Sequence, residues 1–267
     1  MTALLLLTLP VELLLHTALY LRPEELTNLL LSSTHLQHTL LSSSRRLITP
    51  QLLCHTATSP RYIRLLHTLL SHYPLPPLPA KLHPLHTAAK HGNLPALRLL
   101  TSKFDPATRN AQRLTPLEVA AKAGQSGCVA YLLTFTPVAA TTLNNALILT
   151  ESPDVAARLM EAGRIDPSVP LPEHMASPLQ IAARKGQAAK VEVLVRGVKR
   201  RGGVDERDVE GWTALHWAVW GGWGEVVRLL VGAGADAGAR TDAGEGVEVL
   251  GGAAMDVFVP TAVGVAA

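Results

Sequence analysis

A short pattern recurs along this chain, and it constrains the fold more than any other feature. Residues 211–236 read GWTALHWAVWGGWGEVVRLLVGAGAD: an apolar face with helical spacing, a glycine, a second apolar face and a Gly-Ala-Asp turn. Stretches beginning at Pro84, Thr115 and Ser177 carry leucine, alanine and glycine at the same offsets. One such unit cannot bury its own apolar face, so the recurrence predicts a stack of helix–turn–helix units.

The spacing of the units gives their number. The anchor leucines lie 32, 62 and 36 residues apart, at Leu85, Leu117, Leu179 and Leu215. The middle interval is about two units wide. A shortened copy that begins at Leu143 and ends at Gly163 fills it, so the chain is predicted to hold five units.

The residues around each predicted first helix have clear local roles. Thr115 and Ser177 stand just before a proline, where their hydroxyls can cap the free amides of a helix. The proline gives up an amide hydrogen that would be unpaired there, and its fixed φ suits the first helical position. The glycine after the helix is predicted to adopt the left-handed conformation that reverses the chain.

The pattern resembles the ankyrin repeat, which begins Thr-Pro-Leu-His-x-Ala and recurs about every 33 residues. In the last unit Thr213, Leu215, His216 and Ala218 match, and Ala214 replaces the proline. The resemblance implies an all-α solenoid of about five repeats that binds another protein on its concave face.

The N-terminal segment differs from the repeats in composition. The first glycine is Gly92 and the first aspartate is Asp105. Pro10 and Pro23 each open a predicted helix with acidic residues in its first turn, and Ser32 or Ser33 can cap a third. Three such short helices bury little apolar surface alone, which predicts that they pack on a partner.

This segment also resembles an F-box, with its Leu-Pro-x-Glu opening, its Pro-x-x-Leu middle and a third helix. The matching positions are Leu9, Pro10, Glu12, Leu21, Pro23, Leu26, Leu29, Ser33, His35 and Leu36. The resemblance implies that the segment docks on a Skp-type adaptor through Leu9, Pro10, Glu12, Pro23, Leu26 and Leu29. The alternative is a plain helical cap on the repeats.

The predicted organisation therefore has four parts. An F-box-like helical module occupies 1–48, and a helical connector with a Pro-rich linker occupies 49–80. The ankyrin repeats follow at 81–240, and a degenerate C-terminal cap or tail takes 241–267.

The sequence lacks the residues that several classes of function need. Cys54 and Cys128 are the only cysteines, which supports neither a disulfide framework nor a zinc site. The net charge of +3 is too small to indicate nucleic acid. Because the sequence shows neither a basic, apolar leader nor a run of about 20 apolar residues, we expect no signal peptide and no membrane partner. We expect an intracellular protein, cytoplasmic or nuclear.

No catalytic constellation emerges from the sequence. The glycines around Ser126 have the wrong spacing for a nucleophile elbow. His35 with His38, and His83 with His86, stand three residues apart, but no cysteine or acidic cluster completes a metal site. We therefore predict no catalytic, cofactor-binding or metal-binding residues, and no enzyme.

Equivalent positions of the repeats predict the binding surface. Alignment places a cation or tryptophan near the end of the first helix in four of the five repeats, at Lys90, Lys122, Arg184 and Trp220. His91 and Lys185 lie beside this row, and Trp212 occupies a turn tip. Exposed aromatic residues next to cations favour an acidic protein partner.

Together the two resemblances imply a substrate-recognition receptor of a cullin-RING (SCF-type) ubiquitin ligase. The N-terminal module would bind the adaptor, and the repeats would bind the target. The first alternative is an ankyrin scaffold or regulatory binding protein with an N-terminal cap and no ligase link. The second is a hydrolase with an unrecognised site.

Overall fold

The computed structural model describes residues 10–43, 47–73, 79, 83–135, 138–162, 167, 176–198 and 203–250. The chain divides into two compact units, Met1–Thr136 and Pro137–Ala267. Every regular element in the described residues is helical, apart from one isolated bridge between Arg240 and Gly246. The predicted all-α class is confirmed. None of the described helices combines the length and apolarity that a membrane crossing requires.

The first unit contains nine α-helices and one 3-10 helix, Pro60–Tyr62, within its described residues. The α-helices are α1 (Val11–Tyr20), α2 (Pro23–Ser32), α3 (Thr34–Ser43), α4 (Pro50–Thr58), α5 (Ile63–His72), α6 (Pro84–Lys90), α7 (Leu94–Thr101), α8 (Pro116–Lys122) and α9 (Ser126–Leu132). The three helices predicted in the N-terminal segment are α1, α2 and α3.

The helices of the first unit form two adjacent layers. Helices α4, α6 and α8 pack side by side in one layer, and α5, α7 and α9 form the other. Helix α2 packs on α4, and Asn93 donates a hydrogen bond from Nδ2 to the carbonyl of Ala57 at 3.0 Å. The α4–α5 pair, within the segment predicted as a connector, is therefore part of the stack. Of the predicted Pro-rich linker, residues 74–78 and 80 lie outside the described residues.

The second unit repeats the same two-layer arrangement. Its described helices are α10 (Ala140–Leu149), α11 (Pro153–Glu161), α12 (Pro178–Arg184), α13 (Ala188–Val198), α14 (Ala214–Trp220), α15 (Gly224–Gly232) and α16 (Val247–Leu250). Helices α10, α12 and α14 form one layer and α11, α13 and α15 the other, with α16 packed on α14.

Within the described residues from Pro84 to Gly232, five helix pairs are present, as the motif spacing predicts. Gly163, the predicted end of the shortened copy, lies outside the described residues, as does the last part of the predicted tail, 251–267.

The predicted helix caps are present as reciprocal capping boxes. The Thr115 hydroxyl accepts from the amide of Glu118 at 3.3 Å, and Glu118 Oε2 accepts from the amide of Thr115 at 2.6 Å. Ser177 and Gln180 make the same exchange at 3.2 and 2.6 Å. Each exchange satisfies two amides at a buried helix start, which fixes where α8 and α12 begin.

The chain reversals after four first helices depend on glycine. The φ angles there are +68° to +70°, at Gly92, Gly124, Gly186 and Gly222. Residues with a Cβ disfavour this region, so the predicted role of these glycines is confirmed. In the third helix pair, the first helix, α10, ends differently. Thr150 is extended there, and the ammonium of Lys190 reaches back from α13 to donate to the Thr150 carbonyl at 2.7 Å.

Candidate protein-binding surface

Two of the predicted binding lysines lie at equivalent places in the first unit. Lys90 is the last residue of α6 and Lys122 is the last residue of α8, and both are exposed. His91 follows α6 directly and is exposed, with Nδ1 donating to the Thr87 carbonyl at 2.9 Å. Because α6 packs on α8, these three side chains border a common surface.

That surface is a groove of ≈ 520 Å³ over α6, α8 and the turn at 110–114. We call it the basic groove. Its polar and charged lining comprises His83, His86, Lys90, His91, Asn110 and Lys122, with Thr87 and Gln112 beside them. No aspartate or glutamate is among its described lining residues.

A histidine in the groove links α6 to the turn. His86 is only 6% exposed, and its Nε2 donates to the Leu114 carbonyl at 3.0 Å. Burial lowers the pKa of His86 to about 4, against a smaller opposing effect of the bond to Leu114. The ring is therefore neutral near pH 7, and its buried Nδ1 has no hydrogen-bond partner.

The second unit carries an aromatic cluster. The rings of Trp212, Trp217 and Trp220 lie with centroids 4.5 to 6.4 Å apart, and we call these three residues the tryptophan cluster. The Arg184 guanidinium lies over the Trp217 ring at 5.2 Å, and Lys185 follows it on the surface. Trp220 is 61% exposed, which is unusual for so large an apolar side chain.

The tryptophans differ in how firmly they are held. Trp217 donates from Nε1 to Asp208 Oδ2 at 2.8 Å. Trp223 donates from Nε1 to the Arg184 carbonyl at 3.1 Å and packs over Gly186. Trp220 makes ring contacts but no indole hydrogen bond within the described part of the chain. Hydrogen bonds therefore hold the side chains of Trp217 and Trp223 in place, whereas Trp220 presents apolar surface to solvent.

The predicted adaptor-binding residues differ from one another in how exposed they are. Leu9 lies outside the described residues; Pro10 is exposed at the start of α1, and Glu12 lies in the first turn of that helix. Pro23 is the first residue of α2, where Leu29 is half-buried and Leu26 only 5% exposed. Leu26 therefore belongs to the core of the first unit.

Other apolar side chains of the N-terminal helices face solvent. Tyr20 is 78% exposed and Leu13 54%, while Leu19 and Leu31 are also exposed. The opposite face of α1 is buried at Leu14 and Ala18, four residues apart. That spacing could have identified the buried face in the sequence, but leucines also occupy the rest of α1 and obscure the pattern.

The metal-ligating and thiol side chains of the described residues are dispersed or buried. No three His, Cys, Asp or Glu side chains come together there as metal ligands. Burial raises the pKa of the Cys128 thiol to about 11, so this thiol stays protonated. Gly124 and Ser126 lie at the reversal between α8 and α9.

Paired helices, left-handed glycine turns and capped first helices define a helical-repeat protein. The family model "Ankyrin repeats (3 copies)" matches residues 53–142 and 143–241. This chain belongs to the ankyrin-repeat family, and its repeats are a protein–protein interaction module. The first match begins in α4, in agreement with the packing of α4 on α6.

Solved structures share this fold. The ankyrin repeat domain of Bcl-3, a member of the IkappaB family, is 23% identical with a TM-score of 0.62, covering 74% of this chain and 92% of that one. An ankyrin repeat domain from Acinetobacter baumannii is 21% identical with a TM-score of 0.52, covering 61% and 87%. These likenesses concern the fold alone.

A curated relative matches over a short stretch. Calmodulin-binding transcription activator 4 of Arabidopsis thaliana is 48% identical over 50 residues, which is 19% of this chain and 4% of that protein. The shared stretch is about the length of one or two repeats.

Proposed function

We propose that this chain is a substrate-recognition receptor of an SCF-type ubiquitin ligase, in which α1–α3 dock on a Skp-type adaptor and the repeats hold the target. The observation that carries the proposal is the exposed apolar surface of α1 and α2. It accompanies the F-box-like pattern in the same residues.

The exposed side chains form a surface that association would cover. Tyr20, Leu13, Leu19 and Leu31 are each more than 40% exposed, although the helices that carry them bury Leu14 and Leu30 on their inner faces. Burying one large apolar side chain contributes about 1.5–3 kcal/mol. A monomer gains nothing from leaving several in water, so an apolar protein surface is the partner they suit.

The receptor would perform no bond chemistry of its own. It would hold a target near the transferred ubiquitin, and the gain in rate would come from proximity. The target would meet the basic groove and the tryptophan cluster, where cations and an exposed indole favour an acidic partner.

One observation favours a second function, that of an ankyrin scaffold without a ligase link. Helix α2 packs on α4 and so covers the end of the helix stack. Repeat arrays need a terminal cap to stay soluble, and the N-terminal helices would then serve only this purpose.

Co-purification with a recombinant Skp-type adaptor distinguishes the two. Wild-type chain should retain the adaptor, and Leu13→Glu with Tyr20→Glu should abolish retention while the helical circular dichroism stays unchanged. These exposed positions are better targets than Leu26, because truncating a buried leucine would itself destabilise the fold by about 2–5 kcal/mol. The matched control is Trp220→Ala, which leaves α1 intact. If wild-type chain does not retain the adaptor, the cap function stands instead.

A further inference from the structure

We propose that the basic groove is a carboxylate-binding site, which accepts an aspartate or glutamate side chain from the segment of the target that the repeats hold. This inference rests on the proposed binding of a target by the repeats. It adds the chemistry of the contact and the residues that make it.

The charge of the groove is uncompensated. Lys90 and Lys122 border it from two neighbouring helices, and neither forms an ion pair with a carboxylate of the described residues. His91 donates from Nδ1 to a carbonyl, which leaves its Nε2 for another partner. A concave site with cations and no acid in its described lining attracts an anion.

A departure from the repeat's own motif marks the same place. Three later repeats have a hydroxyl residue before the first helix, Thr115, Ser177 or Thr213, and each hydroxyl accepts from a helix amide. The corresponding residue in the groove is His83, whose side chain makes no cap hydrogen bond. The chain has thus given up a helix cap at this position and placed an imidazole in the groove.

Where His83 replaces the hydroxyl residue, the buried Nδ1 of the following His86 has no hydrogen-bond partner. In the last repeat, His216 Nδ1 accepts from the Thr213 amide at 3.2 Å and contacts its hydroxyl at 2.8 Å. The equivalent His86 is bonded through the other nitrogen, Nε2, to the Leu114 carbonyl, so its buried Nδ1 has no partner, whereas in His216 the buried Nε2 has none. The buried Nδ1 of His83 also has no partner among the described residues. Local rules broken in this way tend to occur at functional sites, and the missing cap lies in the lining of the basic groove.

The lining distinguishes a carboxylate from other anions and from metals. No arginine fork, which phosphate groups favour, is among the described lining residues. His86 Nε2 is already bonded to the Leu114 carbonyl, so that nitrogen is not free to coordinate a metal. A single carboxylate between two lysines and a neutral amide such as Asn110 fits what is present.

Selection of random peptides displayed on phage tests the site on the full-length chain. The selected peptides should be rich in aspartate or glutamate, and Lys90→Glu with Lys122→Glu should weaken their binding by about tenfold or more. The matched control is Arg64→Glu with Lys103→Glu, which reverses two exposed cations of the same unit outside the groove lining. His83→Thr, which restores the common motif, should also weaken peptide binding without unfolding the chain.

Four outcomes would overturn the carboxylate site. The selected peptides could lack acidic residues, the control pair could weaken them as much as the groove pair, or only phosphoserine versions could bind. Peptides that lose binding in Trp220→Ala but keep it in the Lys90/Lys122 pair would refute the groove and leave target binding by the repeats intact. Adaptor retention is measured separately, so its loss does not bear on the groove.

Discussion

Replacing Lys190 should destabilise the second unit, by an amount that grows as the solution becomes alkaline. This lysine is 1% exposed, and its Nζ donates to the carbonyls of Thr150 at 2.7 Å and Ile148 at 3.4 Å. Lys190→Met keeps the apolar stem and removes the donor. At pH 7 we expect a loss of about 2 kcal/mol, because two buried carbonyls lose their partner while a buried charge is also removed.

The pH dependence follows from the lowered pKa of Lys190. Burial lowers it from 10.5 to about 8, with a further contribution from the charge of Lys185 and an opposing one from Glu151. Between these two values the unfolded chain binds more protons than the folded one, so the stability supported by Lys190 rises with pH. The difference between the two pKa values corresponds to about 3 kcal/mol. The free energy of unfolding of the wild type should rise by this much relative to that of Lys190→Met between about pH 8 and 10.5.

Urea denaturation followed by circular dichroism at a series of pH values measures this difference. Subtracting the variant's stability from that of the wild type cancels the other titrating groups. Lys103→Met, which changes an exposed lysine, serves as the control and should show little loss at any pH. A wild-type advantage that stays constant from pH 7 to 10.5 would refute the buried, charge-disfavouring site.

Three further predictions concern the histidines and the glycine turns. His83→Thr should raise the free energy of unfolding by about 1 kcal/mol by restoring a helix cap; urea denaturation measures it, and an unchanged midpoint would contradict the motif argument. Because the pKa of His86 is lowered from 6.5 to about 4, the stability of the wild type should fall as pH drops through that range. Thermal melts should show a smaller fall in His86→Gln, and an equal fall in both proteins would contradict this. Gly186→Ala should lower the melting temperature more than Gly222→Ala, since both have positive φ but only the first would place a Cβ 2.4 Å from the Trp223 ring; equal losses would exclude the ring contact as the cause.

Features that depend on residues a few positions apart could be predicted from the sequence. The caps at Thr115 and Ser177 and the glycine turns involve partners within one helical turn, so the repeated motif specifies them. The same locality explains why five helix pairs could be counted between Pro84 and Gly232 from leucine spacing alone.

Features that depend on distant residues could not be predicted. The third repeat has Thr150 where the other four repeats have a positive-φ glycine. Lys190, forty residues further on, donates from Nζ to the Thr150 carbonyl, a contact that the local sequence does not indicate. The same holds for α4 and α5, whose sequence does not carry the repeat motif but whose packing on α6 and α7 places them in the stack. Only the folded arrangement brings these partners together.

The tryptophan cluster allows binding and folding roles to be separated by single substitutions. Trp220 is 61% exposed and makes only ring contacts, so Trp220→Ala should change stability by less than about 1 kcal/mol. If it anchors the target, binding should weaken by about 2 kcal/mol. Trp217→Ala should do the reverse, because it removes the bond to Asp208 and the ring under Arg184, and should destabilise the fold by about 2 kcal/mol or more.

Thermal melts of both variants measure the effect on stability, and their affinities for display-selected peptides measure the effect on binding. Trp223→Ala is the control for losing a tryptophan that packs on Gly186 and bonds the Arg184 carbonyl, and it should resemble Trp217→Ala. Trp212 is less suitable for this separation, since its ring packs on Trp217 at 4.5 Å and its loss would disturb both properties. If Trp220→Ala lowers the melting temperature as far as Trp217→Ala and leaves peptide affinity unchanged, the exposed indole is part of the fold and not a contact for the target.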